Sequence, residues 1–189
     1  IGQTKASVAV IGPAGENLCA GALIENDKNH LMSHGGKIMG SKKLKAIAVL
    51  GNQSVPIFDE EKHKLAQKRW LQLLKDTKTS AYNTARNGGI PRGNYARVKD
   101  IIGVSARNWR TTQFTEFGVG LANQKIAPRP CYNCPIACSY DAEIINGKHR
   151  GYVATLTGGG EAQEGSASIV GVSDPGSILY LTDLYDRLG

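Results

Sequence analysis

Over residues 1–50, apolar positions come in short runs broken by glycine and polar residues, a pattern of short strands joined by tight turns. Ser7 to Ile11 predicts one strand, ended by Gly12-Pro13-Ala14-Gly15, and Ala46 to Leu50 predicts a second, closed by Gly51-Asn52. Between them, Glu25 to Lys43 is polar and carries Gly35, Gly36 and Gly40, where the missing Cβ permits close backbone approaches. The period changes after Pro56. Asp59 predicts an N-cap, Glu60 and Glu61 suit the first turn, and the helix runs to about Lys75. Ala66, Trp70, Leu73 and Leu74 fall on one face, which predicts a buried stripe. Residues 78–130 read as irregular, with Gly88 to Gly93 as a loop. A loop at Gly158-Gly159-Gly160-Glu161 precedes a helix that Ser173-Asp174-Pro175 starts and Gly189 ends. No internal repeat or low-complexity tract is evident.

Composition narrows the class. The 189 residues are 41% hydrophobic, enough for a core, and no apolar run reaches the roughly 18 residues of a membrane span. Ile1-Gly2-Gln3-Thr4-Lys5 has no initiator methionine and no signal-peptide pattern, so it reads as the interior of a longer chain, and the other end stops as abruptly. A net charge of +7 raises the question of nucleic acid. The basic residues are dispersed, however, and no RNA-stacking aromatic signature accompanies Lys42, Lys43 and Lys45. A solvated basic face, or a surface for anionic cofactors and acidic electron carriers, fits better. Cys19 stands apart from the other three cysteines and predicts a buried thiol. One stray and a grouped trio do not make a secreted disulfide framework, so a reducing cytoplasm is expected.

The trio carries the chemistry. Cys131-Tyr132-Asn133-Cys134-Pro135-Ile136-Ala137-Cys138 has the spacing C-x2-C-x3-C, with proline after the middle cysteine. Thiolates set so closely wrap one metal centre, and three in one loop suit a cube-shaped iron–sulfur cluster with a fourth ligand from elsewhere. Structural zinc is the alternative, although the third cysteine comes too soon for a second zinc knuckle. Gly12-Pro13-Ala14-Gly15-Glu16-Asn17 is no Walker loop, because no Gly-Lys-Ser/Thr closes it. His30 and His34 lie four apart, downstream of Glu25 and Asp27. They read as packing or surface residues, as a zinc pair if helical, or as proton carriers of near-neutral pKa.

Taken in order, Ile11-Gly-Pro-Ala-Gly-Glu-Asn-Leu18, Gly35-Gly36, Met39-Gly-Ser-Lys42, Leu44-Lys-Ala-Ile-Ala-Val49 and the cysteine loop resemble the aldehyde ferredoxin oxidoreductase family. Arg107-Asn108-Trp109 resembles an Arg-Asn-aromatic segment of its middle region. The resemblance implies a tungsten (or molybdenum) bis-pterin enzyme with a nearby [4Fe–4S] cluster, and magnesium bridging the pterin phosphates as a further expectation. It implies an α+β fold: residues 1–52 as the C-terminal part of a β-rich pterin-binding domain, and residues 53–189 as the N-terminal part of a mainly helical domain carrying the cluster loop.

Site residues follow from the same resemblance. Cys131, Cys134 and Cys138 become the cluster ligands, with the fourth from a later segment. Gly35 and Gly36 lie against the pterin phosphates, where backbone N–H groups approach an anion. Asp186 and Gly189 open the family's Asp-x-x-Gly-Leu motif, in which the carboxylate accepts from the pterin amino groups. Glu161 matches the first glutamate of the family's Gly-Pro-Glu-x-Glu, whereas Gln163 replaces the second and Glu164 follows it. His34 stands where the family usually has arginine, and the segment from Gly36 to Met39 is two residues shorter. His30, His34, Glu161 and Glu164 are therefore the candidate proton-handling residues.

The implied reaction is oxidation of an aldehyde to a carboxylic acid, with electrons passing through the cluster to ferredoxin or an electron-transfer subunit. No nucleic-acid or membrane partner is expected, and a homo-oligomer is compatible. The alternatives are an aromatic ring reductase like the class II benzoyl-CoA reductases and, in another class, a zinc-stabilised basic nucleic-acid-binding module.

Overall fold

In a computed structural model of the chain, the residues described are 6–26, 31–77, 107–110, 124–131, 134–135, 139–156, 169–172 and 174–189. Two antiparallel sheets organise them. The first has the order β3-β2-β1-β4, with β1 at Ser7–Val10, β2 at Ile24–Asn26, β3 at Leu31–Ser33 and β4 at Ala46–Val49. The two predicted strands pair with each other, Ser7 opposite Val49 and Val10 opposite Ala46. On its other side β1 sets Val10 opposite Glu25 of β2. Two short helices, α1 (Pro13–Glu16) and α2 (Gly36–Ser41), fill the connections and pack on each other.

Helix α3 spans Glu60–Asp76, close to the expected bounds. Asp59 caps it, its Oδ1 accepting from the Lys62 N–H at 2.9 Å. The expected buried stripe is not found: none of its residues is buried, with Trp70 45% and Leu73 57% exposed. Helical period records an amphipathic face, but burial needs a partner surface, and none covers this face among the described residues.

Beside its two helices, the remainder also holds a second sheet among the described residues. β5 (Lys125–Pro128), β6 (Tyr140–Glu143) and β7 (Val153–Leu156) form an antiparallel meander in that order. β5 falls inside the stretch that read as irregular. Helix α4 (Pro175–Leu188) packs on β7 and closes the main core. Tyr140, Ala142, Ile144, Ala154, Leu156, Ile178 and Leu179 are all nearly inaccessible there. Alternation puts Tyr140 and Ala142 on one face of β6 and Ala154 and Leu156 on one face of β7, so both strands cover the helix stripe. Asp174 caps α4 by accepting from the Ser177 N–H at 2.8 Å, and Gly189 ends it at φ +87°. No helix among the described residues is long and apolar enough to cross a membrane.

Candidate functional site

The cysteine loop is the β5–β6 connection. Pro128 pairs with Tyr140, and the Arg129 N–H donates to the Ser139 carbonyl at 2.8 Å, so the hairpin ladder closes the base of the loop. The Arg129 guanidinium then donates to Asp141 (3.2 Å) on β6 and to the Thr155 hydroxyl (3.0 Å) on β7. Thr155 in turn donates to the same Asp141 oxygen at 3.0 Å. Two residues beyond this anchor comes Cys131. The Cys134 N–H donates to the Cys131 carbonyl at 3.0 Å, a turn that folds the first two cysteines of the motif back on one another. Cys131 is exposed, Cys134 is half-buried, and neither is in a disulfide. Cys138 lies outside the described residues. The two thiols and the turn between them fit part of a thiolate donor set. Among the described residues no group of three metal-ligating side chains assembles. Cys19, expected to be buried, is exposed, in a turn after α1 where little packs over it.

A second feature joins the two halves. The C-terminal end of α4 lands on the turn between β1 and α1, and a cavity of about 280 Å³ opens there, lined by Gly12, Glu25, Asn26, Lys45, Asp186 and Arg187 among others. Asp186 and Glu25 face it together. Glu25 is 6% exposed, and both carboxyl oxygens are buried without a hydrogen-bond partner. Burial first, and then the charge of Asp186, push its carboxyl up to about 7. Lys45 does not neutralise it directly: its Nζ donates to the Ile11 carbonyl (2.6 Å) and pairs with Glu16 (2.9 Å).

Helix α4 is registered on β7 through Asp183, one turn before Asp186. Asp183 is buried and accepts from the Tyr152 hydroxyl (2.5 Å) and the Thr155 N–H (2.9 Å). Arg187 donates to the Tyr152 oxygen at 3.2 Å. Burial, reinforced by Asp183, raises the Tyr152 phenol, so its proton stays in place. This network fixes the rotation of α4 and hence which residues face the cavity.

The other expected site residues are scattered. Gly189 sits on Gly12, and its N–H donates back to Tyr185 (3.1 Å) and Asp186 (3.2 Å). Gly35 caps α2 and Gly36 begins it. The Gly36 N–H donates to the Ala22 carbonyl at 3.0 Å, so that donor is already committed, and a Cβ there would run into the backbone of Ala22 and Leu23. His34 is exposed. Residues 31–33 are strand, so the helical face required for a His30–His34 zinc pair is not formed. His30, Glu161 and Glu164 lie outside the described residues, as do Gln163 and the loops at 88–93 and 158–161. Arg107, Asn108 and Trp109 form a left-handed turn (φ 51°, 53° and 65°), tied by the Asn108 N–H to the Ile169 carbonyl at 2.7 Å.

Sequence reasoning missed Glu25 as a site residue, and also Arg129, Tyr152 and Asp183. The available signal for Asp183 was its place three residues before Asp186, on the same face of α4.

The described features are thus a cysteine loop on a hairpin and a cavity at the end of α4 that two carboxylates face. Comparison with known proteins is specific. Residues 1–51 match the family model "Aldehyde ferredoxin oxidoreductase, N-terminal domain", and residues 65–189 match "Aldehyde ferredoxin oxidoreductase, domains 2 & 3". The chain belongs to the aldehyde ferredoxin oxidoreductase family. It is 31% identical to the tungsten-containing aldehyde ferredoxin oxidoreductase of Pyrococcus furiosus, over 100% of this chain and 31% of that protein. It is 38% identical to the enzyme of the same name from Thermococcus kodakarensis, over 73% of this chain and 24% of that protein. It is 29% identical to an aliphatic sulfonate oxidoreductase, WOR-like subunit, of P. furiosus, over 95% of this chain and 29% of that protein. The chain thus spans about a third of the length of the curated relatives it matches.

Proposed function

We propose that the chain is part of an oxidoreductase that converts an aldehyde to a carboxylic acid at a tungsten (or molybdenum) bis-pterin centre, with electrons leaving through a [4Fe–4S] cluster to ferredoxin or an electron-transfer subunit. The observation that carries this reading is the turned Cys131–Cys134 pair on a braced hairpin in a chain of this family. When bound, the bis-pterin centre supplies two-electron chemistry and the cluster one-electron transfer.

The chain's own residues hold and orient. Cys131, Cys134 and Cys138 supply thiolates, and the Arg129–Asp141–Thr155 network keeps the base of their loop in place. Asp186, held by the register of α4, takes N–H donors of a pterin in the cavity, while the Gly189 turn lets α4 end against Gly12. Of Gly35 and Gly36, proposed to lie against the phosphates, Gly36 spends its N–H on the Ala22 carbonyl and packs on the Ala22–Leu23 backbone, which leaves the closer approach to Gly35. His30, His34, Glu161 and Glu164 are the residues proposed to move protons. On this reading, residues 1–52 end the pterin-binding domain and residues 53–189 begin the next, within a cytoplasmic protein. Magnesium finds no support among the described residues.

An anaerobic assay of the full-length protein with a viologen acceptor tests the reaction. Reduction with simple aldehydes is expected. Turnover of aliphatic sulfonates with the same acceptor, or of an aromatic CoA thioester with reduced viologen as electron donor, with none of aldehydes, would replace the substrate and leave the family intact. A zinc-stabilised nucleic-acid module does not agree with the family match, whose members compared above are named as oxidoreductases.

A further inference from the structure

We propose that Glu25 is a second recognition carboxyl of the α4-end cavity, and that with Asp186 it takes a ring edge of the cyclic-guanidine type: two adjacent N–H donors beside a carbonyl. This rests on the reading that places a pterin at Asp186, and it adds a residue from a different segment of the chain.

Among the described residues that line the cavity, the unmet atoms are the two Glu25 oxygens, both acceptors. Glu25 is 6% exposed, with both oxygens buried and unpartnered, and it lines the cavity. A buried carboxyl persists without a partner only where something else supplies donors. Among the described residues, the two cationic side chains of the lining are engaged elsewhere. Lys45 is held by Glu16 and the Ile11 carbonyl, and Arg187 by Tyr152 and Asp183. Pro13, also on the wall, has no N–H to give. A ligand that brings N–H groups would meet the two Glu25 oxygens.

The pairing of the two carboxyls sets which ligand fits. One ionised and one protonated carboxyl together offer several acceptors and a single O–H donor. That complements a 2-amino-4-oxopyrimidine edge, which presents two N–H donors and one carbonyl. Burial and the neighbouring charge of Asp186 hold Glu25 near the point where it carries that proton at neutral pH. The strand register supports the placement, since Val10 opposite Glu25 seats this residue beside the β1–α1 turn that α4 reaches.

The test uses the full-length protein stripped of cofactor, titrated by fluorescence with free pterin and with lumazine, whose 2-oxo group replaces the 2-amino donor. Wild type should bind pterin more tightly than lumazine. Glu25→Gln and Glu25→Met should each weaken pterin by about tenfold, the loss of one hydrogen-bonding partner, with circular dichroism unchanged. Two variants are used so that a folding defect in one does not decide the matter. If Asp186→Asn weakens pterin but neither Glu25 variant does, the role of Glu25 is overturned and the pterin pocket stands. If pterin binds no better than lumazine and no substitution matters, the pocket reading fails and this inference with it. Magnesium bound at the wild-type site and lost in the same variants, without pterin selectivity, would also overturn it.

Discussion

The carbonyl of Leu188 lies directly over Gly12, so closely that a Cβ at position 12 would overlap it. This contact seats the last turn of α4 on the β1–α1 turn of the first sheet. Gly12→Ala must push the two apart, and overpacking of this kind costs about 1–3 kcal/mol. A lower thermal midpoint is expected, with faster amide exchange at the end of α4. An unchanged midpoint would mean that the seat is soft.

Glu25 should make stability depend on pH. Its folded pKa of about 7 lies above the ordinary 4.5, so the folded state holds the proton more tightly than the unfolded one. The stabilisation is complete below about pH 4.5 and is lost as pH rises through 7, on the order of 3 kcal/mol in all. Asp186 faces the same cavity and drives the shift further, while Lys45 is paired with Glu16. Denaturant midpoints from pH 5 to 8 should fall for wild type relative to Glu25→Gln. Parallel curves would show that Glu25 does not titrate in this range.

Asp183 should matter more than its two neighbours in the network. Asp183→Ala takes the acceptor from the Tyr152 hydroxyl and the Thr155 N–H at a half-buried site, and the expected loss is about 2 kcal/mol. Tyr152→Phe leaves Asp183 with the Thr155 N–H and should cost about 1 kcal/mol. Chemical denaturation of the two variants measures both. Equal small losses would show that the register of α4 rests on its apolar stripe alone.

The cysteines should divide into two kinds. Cys131→Ser, Cys134→Ser and Cys138→Ser are each expected to lower the iron content of the full-length protein, and Cys19→Ser to leave it unchanged. Cys19 is exposed and belongs to the turn after α1, outside the hairpin loop. Iron that depends on Cys19 as well would require a different ligand set.

Local signals were readable in the sequence and long-range ones were not. The cap at Asp59, the start of α4 at Asp174 and its glycine end are chemistry of adjacent residues, and all three fall where expected. The strands at Ser7–Val10 and Ala46–Val49 announced themselves by apolar runs between turns. β5, β6 and β7 did not. Each is four residues long, β5 ends in proline, and β6 mixes Tyr140 and Ala142 with Asp141 and Glu143, too short an alternation to stand out. The burial of Glu25 depends on α4 arriving from more than a hundred and fifty positions away, and nothing in Ile24-Glu25-Asn26 records that arrival. The stripe on α3 failed in the opposite sense: the period is real, but the surface that would bury it is not among the described residues. At the site, the cysteine spacing was legible as ligand chemistry, whereas the Arg129–Asp141–Thr155 brace is assembled by pairing three strands.

The most direct measurement is the metal and acid-labile sulfide content of the full-length protein isolated without air. The account predicts about four irons with matching sulfide per chain, together with tungsten or molybdenum. A colourless protein without iron, or one holding zinc alone, would contradict it.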